Sequence, residues 1–223
     1  MPPVQRRELR QERARATRDA IVQAAACEFD RHGYAAASLS AILARSGVTK
    51  GAFYFHFPSK DALALAIVRD QASKWREIAD QPDGGQDPLT RLLALSDVAL
   101  SLFLSSAEVR AALRLSYERP IVQAVPVPVP VWESIVAAQL TAARAQGLLR
   151  ATVEPADAAQ LVNAAMLGAR TTSEAVSGTA ADLVERVDQM WRLLLPAMAT
   201  ERWLEGWRSS TWERRRRPGT GRA

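Results

Sequence analysis

The sequence predicts an all-α chain, and three observations carry that prediction. Apolar residues recur at three- and four-residue spacing along most of the length, as in Ile21, Ala24, Ala25 and Phe29, in Leu89, Leu92, Leu93, Leu100 and Phe103, and in Leu183, Val187, Met190, Trp191 and Leu194. The runs are separated by residues that end or start helices: Gly33, Ser46-Gly47, Pro58-Ser59, Asp87-Pro88 and Glu154-Pro155. The stretch from Val125 to Val131 alternates Val with Pro, so it can be neither a helix interior nor a central strand.

In chain order, residues 1–13 are polar and basic, with Arg6, Arg7, Arg10 and Arg13 behind Pro2-Pro3, and show no packing face. A first helix is expected over about 15–31, stopped by Gly33. Ser38 or Leu39-Ser40 opens a second, in which Leu39, Ile42 and Leu43 share a face until Ser46-Gly47 breaks it. Thr49 is placed to cap a short third helix ending near His56. Two helices joined by a glycine turn make a helix-turn-helix, whose second rod can lie in a DNA major groove. Thr49-Lys50-Gly51 puts a hydroxyl, a cation and a residue without a side chain on the opening turn, where free N–H groups and the helix dipole favour phosphate oxygens. In Phe53-Tyr54-Phe55-His56-Phe57, Phe53 and Phe57 are expected to pack inward and Tyr54 and His56 to offer polar tips outward; Phe55 fits either side.

The runs Phe29-Asp-Arg-His-Gly33-Tyr34, Ser38-Leu-Ser40-Ala-Ile42, Ser46-Gly-Val-Thr-Lys-Gly51, Tyr54-Phe-His-Phe57 and Lys60-Asp-Ala-Leu63 resemble the N-terminal signature of the TetR family of bacterial repressors, nearly position by position. The spelling from Gly47 to Phe57 is most similar to the γ-butyrolactone receptor branch known from Streptomyces. The resemblance implies a three-helix DNA-binding head on a helical ligand-binding and dimerisation body. It also brings the start of the first helix to the DNA backbone. The candidate DNA-binding residues are therefore Thr17 (with Arg18 beside it), Ser38, Ser40, Thr49, Lys50, Gly51, Ala52, Tyr54, His56 and Lys60.

Beyond the head, Ser59 caps a helix expected over 60–80 that links head to body. Gln81-Pro-Asp-Gly-Gly-Gln86 is a loop, and Asp87-Pro88 starts the next helix. A helix over about 107–117 precedes the proline strap 119–131, which delivers Trp132 at the head of a helix to about 146. Two long helices follow, over about 155–176 and 180–199. Leu113-Arg114-Leu115, the strap and the Trp-led helix also resemble the γ-butyrolactone receptors, and the resemblance implies that Trp132 lines a ligand cavity. The other candidate lining residues are Trp75, Leu93, Val98, Phe103, Leu113, Tyr117, Val136 and Met166. The last two long helices resemble the family's dimer bundle, with Leu161, Ala165, Ala169, Leu183, Val187, Met190 and Trp191 as interface candidates. In the tail, Trp203 and Trp207 share a helical face, and Arg214–Arg217 form a charge run suited to a solvated end or to nonspecific phosphate contact.

The expected organisation is thus arm and helix-turn-helix over 1–58, body over 59–200 and basic tail over 201–223. Charge follows it: +5 over 1–60, −4 over 61–200 and +4 over 201–223. A basic head on an acidic body fits a DNA-binding module attached to something that does not touch DNA. No run reaches the ~18 to 20 apolar residues of a membrane span. The Arg-rich N-terminus lacks the apolar core of a secretory signal, so a cytoplasmic place is expected. Cys27 is the sole cysteine and is expected as a small buried residue; with His32 and His56 the only histidines, no metal site or cofactor is expected. Neither a nucleophile with its base nor a phosphate-cradling glycine loop is present, so the chain is expected not to be an enzyme.

The expected function is a dimeric repressor of double-stranded DNA at a near-palindromic operator, released by a small apolar effector such as a γ-butyrolactone and controlling antibiotic production. Two alternatives stay open: a pseudo-receptor answering to antibiotics or pathway intermediates, and a ligand-independent dimeric DNA-binding protein.

Overall fold

A computed structural model describes residues 3–118 and 131–208, and among them every regular element is a helix apart from one isolated bridge. The helices are α1 (Pro3–Ala36), α2 (Leu39–Ser46), α3 (Lys50–His56), α4 (Lys60–Ala79), α5 (Pro88–Ser105), α6 (Ala107–Leu115), α7 (Val131–Ala145), α8 (Pro155–Val176), α9 (Ala180–Met198) and α10 (Glu201–Arg208). The proline strap before Val131, Trp212 and the arginine run 214–217 lie outside the described residues.

The chain divides into two compact units. One takes the residues up to Ile78 together with the segment from Ser101; the other takes Ala79–Leu100 and the residues from Val131 onward. These units cut the chain differently from the boundary expected at 58/59. The core of the first is built from Ile21, Ala25 and Phe29 of α1, Ile42 of α2, Phe53 of α3, Leu63 and Ile67 of α4, and Ala111 and Leu115 of α6. A helix about 80 residues downstream therefore completes the core of the head. Local periodicity shows that α6 has an apolar face but not which element covers it.

Helix α1 is longer than expected, because the polar arm is itself helical from Pro3. Pro is tolerated in a first helical turn, and Gln5, Arg7, Leu9, Arg10, Gln11, Glu12 and Arg13 are strong helix formers even without a buried face. Gly33 interrupts the helix as expected, at φ 73 and ψ 176, but three further residues stay attached beyond the break. Cys27 is partly exposed, not buried.

In the second unit, α8 packs on α7 and on α9. Asp87 caps α5 by accepting from the N–H groups of Leu89 and Thr90, both at 3.0 Å, and its Oδ1 also accepts from Trp203 Nε1 at 2.9 Å. Trp203 stacks on Trp207, their ring centres 6.1 Å apart, so α10 packs back through the face expected of it. Helix α5 is long and apolar enough to cross a membrane by length and composition, contrary to the expectation that no run approaches a span. Its Leu89, Leu92, Leu93, Leu95 and Leu100 are buried within the protein, as in an ordinary core helix.

Helix α9 corrects part of the expected interface. Leu183, Val187, Met190 and Trp191 are all buried inside the protomer, and Trp191 Nε1 donates to Ser96 Oγ at 2.9 Å. Side chains enclosed this way are not available to a second copy. The apolar side chains that do face outward are Leu161 (53% exposed) and Val176 on α8 and Leu193 (75%) on α9, with Ala165 and Ala169 partly exposed.

Candidate nucleic-acid interface

Both helices of the turn are capped by the residues expected to do so. Ser38 Oγ accepts from Ala41 N at 3.1 Å, and Thr49 Oγ1 from Ala52 N at 3.2 Å. The Thr49 hydroxyl acts there as an acceptor, so its own O–H remains a donor suited to a phosphate oxygen. Ser38 and Ser40 share one such hydrogen between them at 2.9 Å. Gly47 ends α2 in the left-handed region (φ 66), and its N–H returns to Leu43 O at 3.0 Å. That single residue lets the chain reverse within Gly47–Thr49.

Helix α3 divides its aromatics by face. Phe53 is fully buried and Phe57 nearly so, in contact with each other, whereas Tyr54 is exposed. His56 is half-buried against the edge of Phe55. Phe55 resolves outward and is 78% exposed, which the sequence left open. Lys50, Gly51 and Tyr54 lie on the exposed surface, with Ala52 partly covered. A Cβ placed on Gly51 would meet nothing within 4 Å. Glycine in a helix costs roughly 0.5–1 kcal/mol relative to alanine, and no internal contact here calls for it. The backbone of α3 is therefore open to close approach at Gly51.

Two expected phosphate contacts have other work. Lys60 Nζ donates to the carbonyl oxygens of Tyr34 and Ala37, both at 2.9 Å, and lies 4.2 Å above the Tyr34 ring. Burial holds its pKa below the usual lysine value, partly opposed by the Glu118 carboxylate. The 26 and 23 residues between Lys60 and these acceptors hid that role from sequence spacing. Thr17 donates its hydroxyl hydrogen to Arg13 O at 2.9 Å, one turn back on its own helix, which leaves no donor for a phosphate. Arg18 is likewise engaged, paired with Asp70 at 3.0 Å and lying over the Phe57 ring.

A buried carboxylate missed by sequence reasoning joins the helices. Glu28 of α1 accepts from Arg45 Nε of α2 at 2.8 Å, which fixes how α2 lies against α1. That hydrogen bond also raises the pKa of Arg45.

The nine candidate cavity residues fall on both units. Trp75, Phe103, Leu113 and Tyr117 belong to the first, and Leu93, Val98, Trp132, Val136 and Met166 to the second. Leu93 and Val136 are buried, whereas Val98 and Tyr117 are exposed, which departs from the enclosed walls expected of them. Among the described residues, no three His, Cys, Asp or Glu side chains cluster as metal ligands would.

Two capped helices around a glycine turn, an inward Phe53–Phe57 pair and an outward face of Lys50, Gly51 and Tyr54 define a helix-turn-helix DNA-binding protein. Residues 21–67 match the N-terminal domain of bacterial regulatory proteins of the tetR family. The chain belongs to the TetR family, as a DNA-binding regulator related to the γ-butyrolactone receptors, and its close homologues are regulators, not enzymes. It is 37% identical over 190 residues to the A-factor receptor protein of Streptomyces griseus, an alignment covering 85% of this chain and 66% of that protein, a little under two thirds. A crystal structure of a γ-butyrolactone receptor, ArpA-like, superposes with a TM-score of 0.70 at 31% identity, covering 87% of this chain and 94% of that one. CprB from Streptomyces coelicolor, solved in complex with its operator sequence, superposes with a TM-score of 0.73 at 30% identity, covering 86% of this chain and 93% of that one.

Proposed function

We propose that the chain is a dimeric, cytoplasmic transcriptional repressor. Two copies present their α3 helices to a near-palindromic operator, with half-sites about 34 to 36 Å or a multiple apart. The observation that carries this reading is the outward face of α3. There, an unobstructed Gly51 stands beside Lys50 and Tyr54 while the adjacent aromatics are held inside. Ser38, Ser40, Thr49, Ala52 and His56 complete the set proposed to meet DNA. Pairing of the copies is assigned to the outward side chains of α8 and α9: Leu161, Ala165, Ala169 and Leu193.

Release is assigned to a small, mostly apolar effector of γ-butyrolactone type, with Trp132 as the leading lining residue. Support for the effector comes from the names of the relatives and from the Trp-led α7. The effector need only bind the conformer whose heads are wrongly spaced for DNA more tightly than the other; by reciprocity, operator DNA must then weaken its binding by the same factor. The regulated processes on this reading are those of antibiotic production.

The test is a titration of the full chain on a labelled duplex that it selects from randomised DNA. Synthetic γ-butyrolactones and antibiotics are added in separate arms. Dissociation by the lactones supports the reading. Dissociation by antibiotics alone replaces it with a pseudo-receptor, and dissociation by neither points to a DNA-binding protein without a small effector.

A further inference from the structure

At the Gly33 break, α1 loses the helical hydrogen bond that would run from Tyr34 N–H to Asp30 carbonyl oxygen. Both halves of that missing bond are taken by α6 and the turn after it. Tyr34 N–H donates to Glu118 Oε2 at 2.8 Å, and Asp30 O accepts from an Arg114 terminal nitrogen at 2.9 Å. The two side chains also pair with each other, Arg114 Nε to Glu118 Oε1 at 3.3 Å. One turn earlier, Arg110 Nε donates to the Asp30 carboxylate at 2.9 Å. Arg110, Arg114 and Glu118, spaced by four, thus lie along the end of α1 as one stripe.

We infer that the Arg114–Glu118 pair is a wedge set into the α1 break, and that Glu118 is the positioning residue that fixes the angle at which α1 hands the chain to the helix-turn-helix. Three observations converge on it. A Cβ at Gly33 would lie 2.7 Å from Glu118 Oε1 and 2.9 Å from Arg114, so the missing side chain is the space the wedge occupies. The backbone at Gly33 (φ 73) is one that other residues adopt only under strain, so the break is set by sequence. On the far side of the corner, the Tyr34 and Ala37 carbonyls are held by Lys60 from the start of α4. The corner before α2 is therefore fixed between a carboxylate that takes its N–H and an ammonium that takes its carbonyls. Glu118 comes 84 residues after Tyr34 in sequence, so the posture of the head depends on where the end of α6 stands.

This inference rests on the DNA-binding reading, and its consequence is specific. Loss of Glu118 should misplace α2 and α3 without removing any group that meets phosphate. Operator affinity should fall while affinity for random DNA stays. The experiment compares wild type, Glu118→Gln and Glu118→Ala as full chains on the selected duplex and on random duplex across a salt series, with thermal melts and amide exchange at Tyr34. The expected result for Glu118→Ala is a loss of operator affinity of about tenfold or more, with random-DNA affinity and salt slope unchanged, and faster exchange at Tyr34. Glu118→Gln keeps an oxygen to accept from Tyr34 N–H and should recover most of the affinity. Operator binding by Glu118→Ala equal to wild type overturns the inference. So does a parallel loss on both duplexes that merely follows a drop in melting temperature. If wild type shows no preference for any duplex, the DNA-binding reading fails by itself. Exchange at Tyr34, slow in wild type and Glu118→Gln and fast in Glu118→Ala, then still decides the wedge; equal exchange in all three rejects it.

Discussion

Lys60 donates to the carbonyl oxygen of Tyr34 at 2.9 Å while its ammonium lies 4.2 Å above the ring of the same residue. This lysine and Lys50 stand ten residues apart in a basic segment, yet their surroundings give them opposite roles. Lys50 is exposed at the start of α3. Lys50→Ala should weaken operator and random DNA alike and lower the salt slope by about one. Lys60→Met leaves the Tyr34 and Ala37 carbonyls without their cation and should cost about 1–3 kcal/mol of stability, with no change in salt slope. Salt-series binding and urea melts on the two variants check the contrast. A lower slope for Lys60→Met would return it to the DNA interface.

Gly51→Ala separates folding from binding. The added methyl meets nothing within 4 Å and relieves the entropic cost of glycine in a helix, so the variant should be more stable by roughly 0.5–1 kcal/mol. The same methyl stands on the face assigned to DNA and should weaken operator binding by tenfold or more. A variant that melts higher and binds as well as wild type would take Gly51 out of the interface.

What the sequence disclosed, and what it withheld, follows from the range of the interactions. Phe53 and Phe57 inward with Tyr54 outward, the caps at Ser38, Thr49 and Asp87, and the packing face of Trp203 and Trp207 are all settled within one or two helical turns. Local pattern is enough there. Phe55 was ambiguous because a seven-residue helix offers too few positions to define a stripe. The Lys60, Arg114 and Glu118 contacts span 23 to 84 residues, and spacing carries no information at that range. The interface candidates on α9 show a related limit. Periodicity at Leu183, Val187, Met190 and Trp191 revealed a covered face but not whether the cover was the protomer or a second copy, and the protomer covers it.

Acid should reveal the N-terminal turn of α9. Asp182 accepts from Arg186 Nε at 2.8 Å, and that hydrogen bond, joined by the hydroxyls of Ser173 and Ser177, holds its carboxyl below the ordinary 3.8. A depressed carboxylate contributes stability that is present above the unfolded pKa and is lost as pH falls through the folded one. Wild type should therefore be more stable than Asp182→Asn at neutral pH, and the gap should close below about pH 3.8. Denaturant melts across that window are the measurement. A gap that stays constant into acid would mean that the charge of Asp182 contributes nothing.

The pairing surface can be tested by setting an exposed residue of α9 against a buried one two positions away. Leu193 is 75% exposed, whereas Trp191 is fully enclosed and bonded to Ser96. If two copies meet through this face, Leu193→Glu places like charges opposite each other at a twofold contact. It should shift the chain toward monomer in sedimentation while leaving the helical signal intact. Operator binding should then fall, because a single head has only one half-site to hold. Trp191→Ala should behave otherwise, opening a cavity in the second unit at a cost of about 3–5 kcal/mol and lowering the melting temperature whatever the state of assembly. Leu193→Glu that sediments as wild type would exclude this face from the contact between copies, and the pairing surface would have to lie elsewhere.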